Sequence, residues 1–223
     1  MIAKDKKSAE IIRPILRGRD ISRYQINFAD LYLINTHNGI PSKNIFPVDI
    51  EEYPAVKEHL DIYWDKIESR DDQGVTPYNL RSCAYMDDFS KQKIVWGEIS
   101  DKPKFALDFD GKYYPEATTF ILTGKNIEYL YAILNSTISE WFFSNIGTTT
   151  GVGTVRWKKF TIEQLLVIPP NEDILQIIKR LLVAMRNDQI TCIDFENETE
   201  RFIYSLYNLD ENEINFIKFW SKK

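Results

Sequence analysis

Three clusters hold the residues of this chain best suited to chemistry, and each suits the recognition of phosphate and base edges. Arg13, Arg17, Arg19 and Arg23 stand with Tyr24 around an Arg17-Gly18-Arg19 kernel. A turn there brings backbone and guanidinium groups close to a phosphate. Tyr78-Asn79-Leu80-Arg81 follows Pro77, with Lys91 and Lys93 downstream. Asn and Arg are the side chains that read adenine and guanine edges in bidentate fashion. The third cluster is Thr148-Thr149-Thr150-Gly-Val-Gly-Thr-Val-Arg156-Trp157-Lys158-Lys159, a Gly/Thr run ending in cations. If Val155–Lys159 runs extended, Arg156 and Lys158 share one face and Trp157 takes the other. Trp157 is then the core anchor, and the Gly147–Lys159 loop is expected to close over a bound duplex. The expected contacts are Arg17, Arg19, Arg23, Asn79, Arg81, Lys91, Lys93, Thr149, Thr150, Arg156, Lys158 and Lys159.

Other chemistries find little support. The chain has no P-loop, no GxSxG, and no third glycine after Gly151-Val-Gly153. Asp108-Phe-Asp110-Gly111 resembles the middle of a calcium loop, but Ala106 and Ala117 fall where its first and twelfth ligands belong. Asp108 and Asp110, with Glu98, would be the carboxylates of a hydrolase; an Asp-Gly turn is the simpler reading. His37-Asn38-Gly39 likewise reads as a turn. Cys83 and Cys192 stand alone, outside any CxxC, as reduced thiols of a cytoplasmic protein. No metal site is expected.

The elements that must position the clusters are legible by periodicity. Glu51–Arg70 reads as one helix, with Val56, Leu60, Tyr63 and Ile67 on one face and Pro54 in its first turn. Lys93–Ile99 reads as a strand, and Phe105–Asp108 and Thr118–Leu122 as two more around the Asp110-Gly111 turn. Asn126–Phe143 reads as one long helix, and Leu165–Ile168 as a short buried strand closed by Pro169-Pro170. Three amphipathic helices follow: Asp173–Arg186, one through Phe195, Thr199, Phe202 and Leu206, and one opened by the acidic capping box Asp210-x-x-Glu213. The fold class is therefore α+β: a mixed, mostly antiparallel sheet with packed helices, then a small C-terminal helical unit. The expected domains are 1–170 and 171–223, the helical unit packing on itself and on the rest.

Composition agrees. The chain has 223 residues, 43% apolar and 27% charged, which fits a globular protein of one main domain and excludes disordered and fibrous classes. No apolar run approaches the ~20 residues of a membrane helix. The net charge of −5 argues against a sequence-blind nucleic-acid binder, yet the charge is sided. Residues 1–25 carry seven Lys/Arg against three acids, 26–75 four against ten, and 171–223 seven against ten. Such asymmetry permits a polyanion on one face.

Several stretches, in order and spacing, resemble the C-terminal target-recognition domain of TaqI-like adenine-N6 DNA methyltransferases, which also closes fused type IIG (Eco57I-like) restriction-modification enzymes. They are Ile12-Arg-Pro-Ile-Leu-Arg-Gly-Arg-Asp-Ile-Ser-Arg-Tyr24; Leu33-Ile-Asn-Thr-His-Asn-Gly39 with Tyr53–Leu60 and Ile67–Arg70; and Thr76-Pro-Tyr-Asn-Leu-Arg81 with Phe89–Val95. Leu134-Asn-Ser136, Val155-Arg-Trp-Lys-Lys-Phe160 to Val167-Ile-Pro-Pro170, and the tail Ile203–Ile214 complete the series. Type I specificity subunits are similar in plan.

The resemblance implies a module that reads double-stranded DNA and catalyses nothing alone. The methyltransferase motif Asn/Asp-Pro-Pro-Tyr/Phe is absent; Ile168-Pro-Pro-Asn171 has the wrong flanks. The nuclease motif Glu-x-Lys is absent too, since Glu98 is followed by Ile-Ser. S-adenosylmethionine and magnesium are expected only in catalytic domains outside this chain. The expected partners are duplex DNA and a methyltransferase or nuclease domain or subunit, with no membrane. The chain itself would be an excised fragment or a separate specificity polypeptide. The alternative is an assembly module that docks a methyltransferase with little DNA contact of its own. Motifs shared by enzymes of different specificity cannot encode one sequence. Base readers are therefore expected in the loops 71–79, 100–116 and 144–154.

Overall fold

The structure, a computed structural model, describes residues 1–147 and 154–220. Its strands are β1 (Ile12–Leu16), β2 (Ile21–Ser22), β3 (Gln25–Ile26), β4 (Tyr32–Ile34), β5 (Lys93–Gly97), β6 (Ile99–Ser100), β7 (Ala106–Asp108), β8 (Tyr114–Pro115), β9 (Thr119–Leu122) and β10 (Val155–Arg156). The α-helices are α1 (Pro54–Asp61), α2 (Trp64–Ile67), α3 (Ile127–Leu134), α4 (Thr137–Ile146), α5 (Lys159–Ile162), α6 (Glu172–Arg186), α7 (Cys192–Leu206) and α8 (Glu211–Trp220). Every strand pairing with a stated register is antiparallel, so the α+β expectation holds. No helix among the described residues is long and apolar enough to cross a membrane.

The chain forms two compact units. The first comprises residues 1–15, 30–90 and 112–114. Its core joins Ile11, Ile50, Tyr53 and Val56, and β4 pairs with β1 from Ile12↔Ile34 to Pro14↔Tyr32. Pro54 opens α1 as expected. The single helix expected over Glu51–Arg70 is instead a 3-10 turn (Ile50–Glu52), α1 and α2. The break has a physical cause. Val56 is fully buried, but Tyr63 is 44% exposed and α2 buries no residue. Beyond Leu60, which packs on the core, the stripe gains too little from packing to keep one helix continuous.

The second unit comprises 16–29, 91–111 and 115–223, and the helices after Pro169-Pro170 fall within it. Here β5 lies between β7 and β9, in the order β7-β5-β9. The two strands read around the Asp110-Gly111 turn thus flank β5 rather than pair with each other. Ile94, Trp96, Phe105 and Leu107 bury their side chains in the core shared with α3, α6 and α7. Ile178 and Leu182 of α6 and Phe195 of α7 fill that core, as their spacing predicts, whereas in the last turns of α7 Ile203 is buried and the expected Phe202 only half-buried. Asp210 and Glu213 cap α8 reciprocally, each backbone N–H donating to the other's carboxylate at 2.9 Å.

The long helix expected over Asn126–Phe143 is broken into α3 and α4 at Asn135-Ser136. Asn135 is fully buried. Its amide donates to the Phe105 carbonyl (3.1 Å) and accepts from the Phe105 N–H (3.3 Å). Ser136 caps α4 by accepting from the Ser139 N–H. An asparagine that completes the backbone bonding of Phe105, just before β7, outweighs helical continuity. Leu165–Ile168 is not a strand. Tyr207 donates its hydroxyl to the Leu166 carbonyl and Tyr129 donates to that of Ile168, each at 2.5 Å. Side chains thus satisfy the carbonyls a strand partner would have taken.

Candidate nucleic-acid interface

The Arg17-Gly18-Arg19-Asp20 segment forms a 3-10 turn over Gly18–Asp20. Asp20, 5% exposed, accepts from the Arg17 backbone N–H (3.0 Å), Nε (2.9 Å) and Nη2 (2.7 Å). These bonds hold the Asp20 carboxyl below the usual carboxylate range. Arg17 is therefore committed to shaping the turn, and Arg19 is the guanidinium left exposed. The turn lies directly on the end of β5. A Cβ at Gly97 would stand 2.9 Å from Gly18 Cα, so glycine is needed where the two backbones cross.

Beside that crossing lies an open cleft of about 510 Å³, lined among others by Arg19, Ser22, Glu98, Ser100, Lys104 and Thr118. One wall is built by β6, with which β10 pairs through Val155↔Ser100 and Arg156↔Ile99. Trp157 is 3% exposed and sits edge-on to Phe105 and Phe143. Its backbone N–H donates to the Glu98 carbonyl (2.7 Å) and its indole to the Ser100 carbonyl (3.1 Å). The Trp96 indole donates to the Trp157 carbonyl (2.7 Å). With Trp157 turned inward, Arg156 and Lys158 remain 43% and 42% exposed. Arg156 Nη1 lies 3.0 Å and Lys158 Nζ 3.8 Å from Glu98 Oε1. Lys104 pairs with Asp101 at 2.6 Å, and Lys159 with Glu163 at 3.6 Å.

Arg19, Arg156 and Lys158 thus gather on or beside this cleft, with Arg17 behind them. Others among the expected contacts stand elsewhere. Arg23 is structural: it donates to the Asn135 carbonyl and pairs with Glu196 of α7 at 2.8 Å. Tyr24 beside it has φ +67, uncommon for a bulky residue, and its ring packs edge-on against Tyr131 and Phe195. Lys93, expected at a phosphate, is instead fully buried against Asp108. Lys91 is exposed. Thr149 and Thr150 lie outside the described residues, as does most of the loop expected to close over a duplex. Lys104, Ser22, Ser100 and Thr118 were not singled out from sequence. The only signal was the place of Ser100 and Lys104 in the 100–116 loop.

In the first unit, Asn79 is 1% exposed and cannot read a base. Its amide donates to the Val48 carbonyl (2.9 Å) and accepts from the Thr76 hydroxyl (2.6 Å). Arg70 donates to the carbonyls of Pro77 and Asn79. Arg81 is exposed and pairs with Asp72 at 3.4 Å. His37 accepts from the Gly39 N–H at Nδ1 (3.1 Å), and Gly39 has φ +71, as the turn reading requires. Burial, then the charge of Arg13, holds His37 below its ordinary value of 6.5. Between the lowered folded value and the unfolded one, the unfolded chain binds the extra proton. Stability should therefore be intact above pH 6.5 and decline as pH falls through that window. A melting series from about pH 7 to about pH 5.5 checks this, and a His37→Asn variant with the same slope would refute it.

The carboxylates of a hydrolase are each engaged with a different cation: Asp108 with Lys93, Asp110 with Arg186, Glu98 with Arg156. Among the described residues no group of three or more His, Cys, Asp or Glu is placed to hold a metal ion.

The family model of the TaqI-like C-terminal specificity domain matches residues 13–167. The chain belongs to this family. The match takes in every cleft residue from Arg17 to Lys158, and ends before α6. Among solved structures, the Type IIL restriction-modification enzyme MmeI in complex with DNA shares the fold of this specificity domain, with a TM-score of 0.67 at 14% identity. The likeness covers 98% of this chain and 31% of that one, so the chain spans about a third of that enzyme's length. No curated protein matches the specificity domain significantly.

Proposed function

We propose that the chain is the double-stranded-DNA recognition module of a restriction-modification enzyme. It holds a duplex for adenine-N6 methylation, and in fused enzymes cleavage, by a catalytic domain outside this chain. The observation that carries this reading is the cleft. Arg19, Arg156 and Lys158 are presented by a turn and a strand whose backbones are locked by Gly18, Gly97 and Trp157. The related enzyme solved with DNA has the same fold. Methylating a base requires flipping it from the stack, so a separate rigid element must hold the flanking duplex. Arg19, Arg156 and Lys158 serve as phosphate contacts that set register, and Ser22, Ser100 and Thr118 line the same cleft. S-adenosylmethionine and magnesium belong to the catalytic domain in this scheme.

Fluorescence anisotropy on a random-sequence duplex tests it. Binding should be weak and fall steeply with salt, by a slope of about −0.9 in log K per neutralised phosphate. Replacing Arg156 and Lys158 by alanine should weaken binding by about 1–3 kcal/mol and flatten the slope by about two units, uniformly across sequences. Salt-independent affinity would end the proposal. The assembly-module reading draws on one observation, the exposed Phe216 and Phe219 of α8 beside a pocket lined by Trp141 and Leu209. It predicts no response of duplex affinity to the double alanine variant.

A further inference from the structure

The cations of the cleft are not waiting bare. Arg156 and Lys158 both point at one carboxylate, Glu98, and Lys104 is held by Asp101, whose carboxyl is lowered chiefly by that contact. Of the two cations lining the cleft itself, only Arg19 lacks an ion pair among the described residues. We propose that Glu98 is a masking residue: it holds Arg156 and Lys158 away from phosphate and so suppresses sequence-blind binding. The proposal rests on the DNA reading of the cleft and says how that cleft stays off duplex that offers only its backbone.

The case begins with the backbone. Glu98 falls in the one-residue gap between β5 and β6, and both of its main-chain polar groups are used. Its N–H donates to the Thr118 carbonyl (3.0 Å), and its carbonyl accepts from the Trp157 N–H (2.7 Å). The residue before it, Gly97, abuts Gly18 so closely that a Cβ there would stand 2.9 Å from the Gly18 Cα. The residue that receives its carbonyl, Trp157, is fixed in the core. The carboxylate is therefore held at the cleft rather than carried on a loop that could swing aside. It is 26% exposed, so its charge is screened less than that of a fully solvated acid.

A fixed carboxylate among phosphate-binding cations has a defined effect. A duplex that approaches must draw Arg156 and Lys158 away from Glu98, and leaves a negative charge facing its own phosphates. Random duplex offers only backbone attraction to offset this, whereas a cognate site adds base contacts. Repulsion that weighs equally on both leaves the ratio of the two affinities unchanged, but it takes backbone-only binding below the range in which it is populated while a site that adds base contacts stays within it. The same arrangement accounts for a DNA-reading cleft in a chain of net charge −5.

The test is Glu98→Gln, which keeps the shape and the acceptor oxygen but removes the charge. On a random-sequence duplex, anisotropy should show binding about tenfold tighter than the parent, the scale of one like-charge contact at a partly buried site. The salt slope should steepen by about one unit, as one more phosphate is neutralised. Glu198→Gln, on the exposed Glu198–Arg201 pair of α7, removes the same net charge away from the cleft and should change nothing. In an Arg156→Ala/Lys158→Ala background the gain from Glu98→Gln should shrink several-fold. Unchanged or weaker binding by Glu98→Gln overturns the proposal, weaker binding marking Glu98 as a direct base contact. An equal gain from Glu198→Gln also overturns it, as a bulk charge effect, and so does an undiminished gain in the double alanine background. If neither parent nor variant binds duplex at low salt, it is the DNA reading that fails. Melting curves of all variants establish that each is folded, and Glu98→Ala serves in place of the glutamine if that one is not.

Discussion

Removing one partner of the Lys93–Asp108 pair is expected to destabilise the second unit by about 3–5 kcal/mol. Lys93 Nζ lies 2.5 Å from Asp108 Oδ2, with side chains 0% and 3% exposed. The two residues face each other in register across β5 and β7, as the end pair of that ladder. Burial pushes the Lys93 ammonium below its ordinary value, and the hydrogen bond to Asp108 opposes that push. Asp108→Ala strands an ammonium in the core, and Lys93→Met strands a carboxylate; either leaves a desolvated charge without its counter-ion. Lys93→Met/Asp108→Leu removes both charges and should recover most of the loss, because the pair's mutual attraction roughly balances its desolvation. Urea unfolding of the parent, both single variants and the double variant measures this. Single variants within about 1 kcal/mol of the parent would show that water reaches the pair, contrary to its burial.

Trp157→Ala should cost about 3–5 kcal/mol, as truncation of a buried aromatic does. The indole sits against Phe105 and Phe143, and its N–H serves the Ser100 carbonyl, which would be left without that donor. The backbone of the same residue ties β10 to Glu98 and Trp96, so the loss extends to the wall of the cleft. The neighbours should behave in the opposite way. Arg156→Ala/Lys158→Ala removes half-exposed side chains and should change stability by only about 1 kcal/mol or less while weakening duplex binding. The two signatures separate scaffold from interface within three consecutive residues. A Trp157→Ala protein that melts with the parent would contradict the packing.

Local rules were enough for features whose causes are local. Pro54 at the start of α1, the reciprocal Asp210–Glu213 cap, the turn at Gly39 and the Ile178/Leu182 stripe each depend on residues within a few positions of one another. The alternation at Arg156-Trp157-Lys158 belongs with them: an extended segment with one large ring must bury the ring and expose its neighbours. The family was likewise legible, because its motifs are spread along the chain in a fixed order.

What sequence alone could not supply were the partners of polar groups distant in the chain. Asn135 looked like one more position on a helix face, yet it breaks the helix because the Phe105 backbone, thirty residues earlier, needs its amide. Arg23 belonged to a basic cluster on paper, and Glu196 together with the Asn135 carbonyl draws it into the fold. Lys93 and Asn79 carried DNA-reading chemistry by type and are buried, because a charge or amide is judged by what surrounds it rather than by what it is. Glu98 was discounted for lacking a nuclease lysine and emerges as the acid that holds two cations of the cleft. Residue types and their spacing thus determined the α+β class, the family and the inward turn of Trp157. Only the tertiary structure decided which cations face solvent, since long-range pairing in a desolvated core leaves no periodic trace in the sequence.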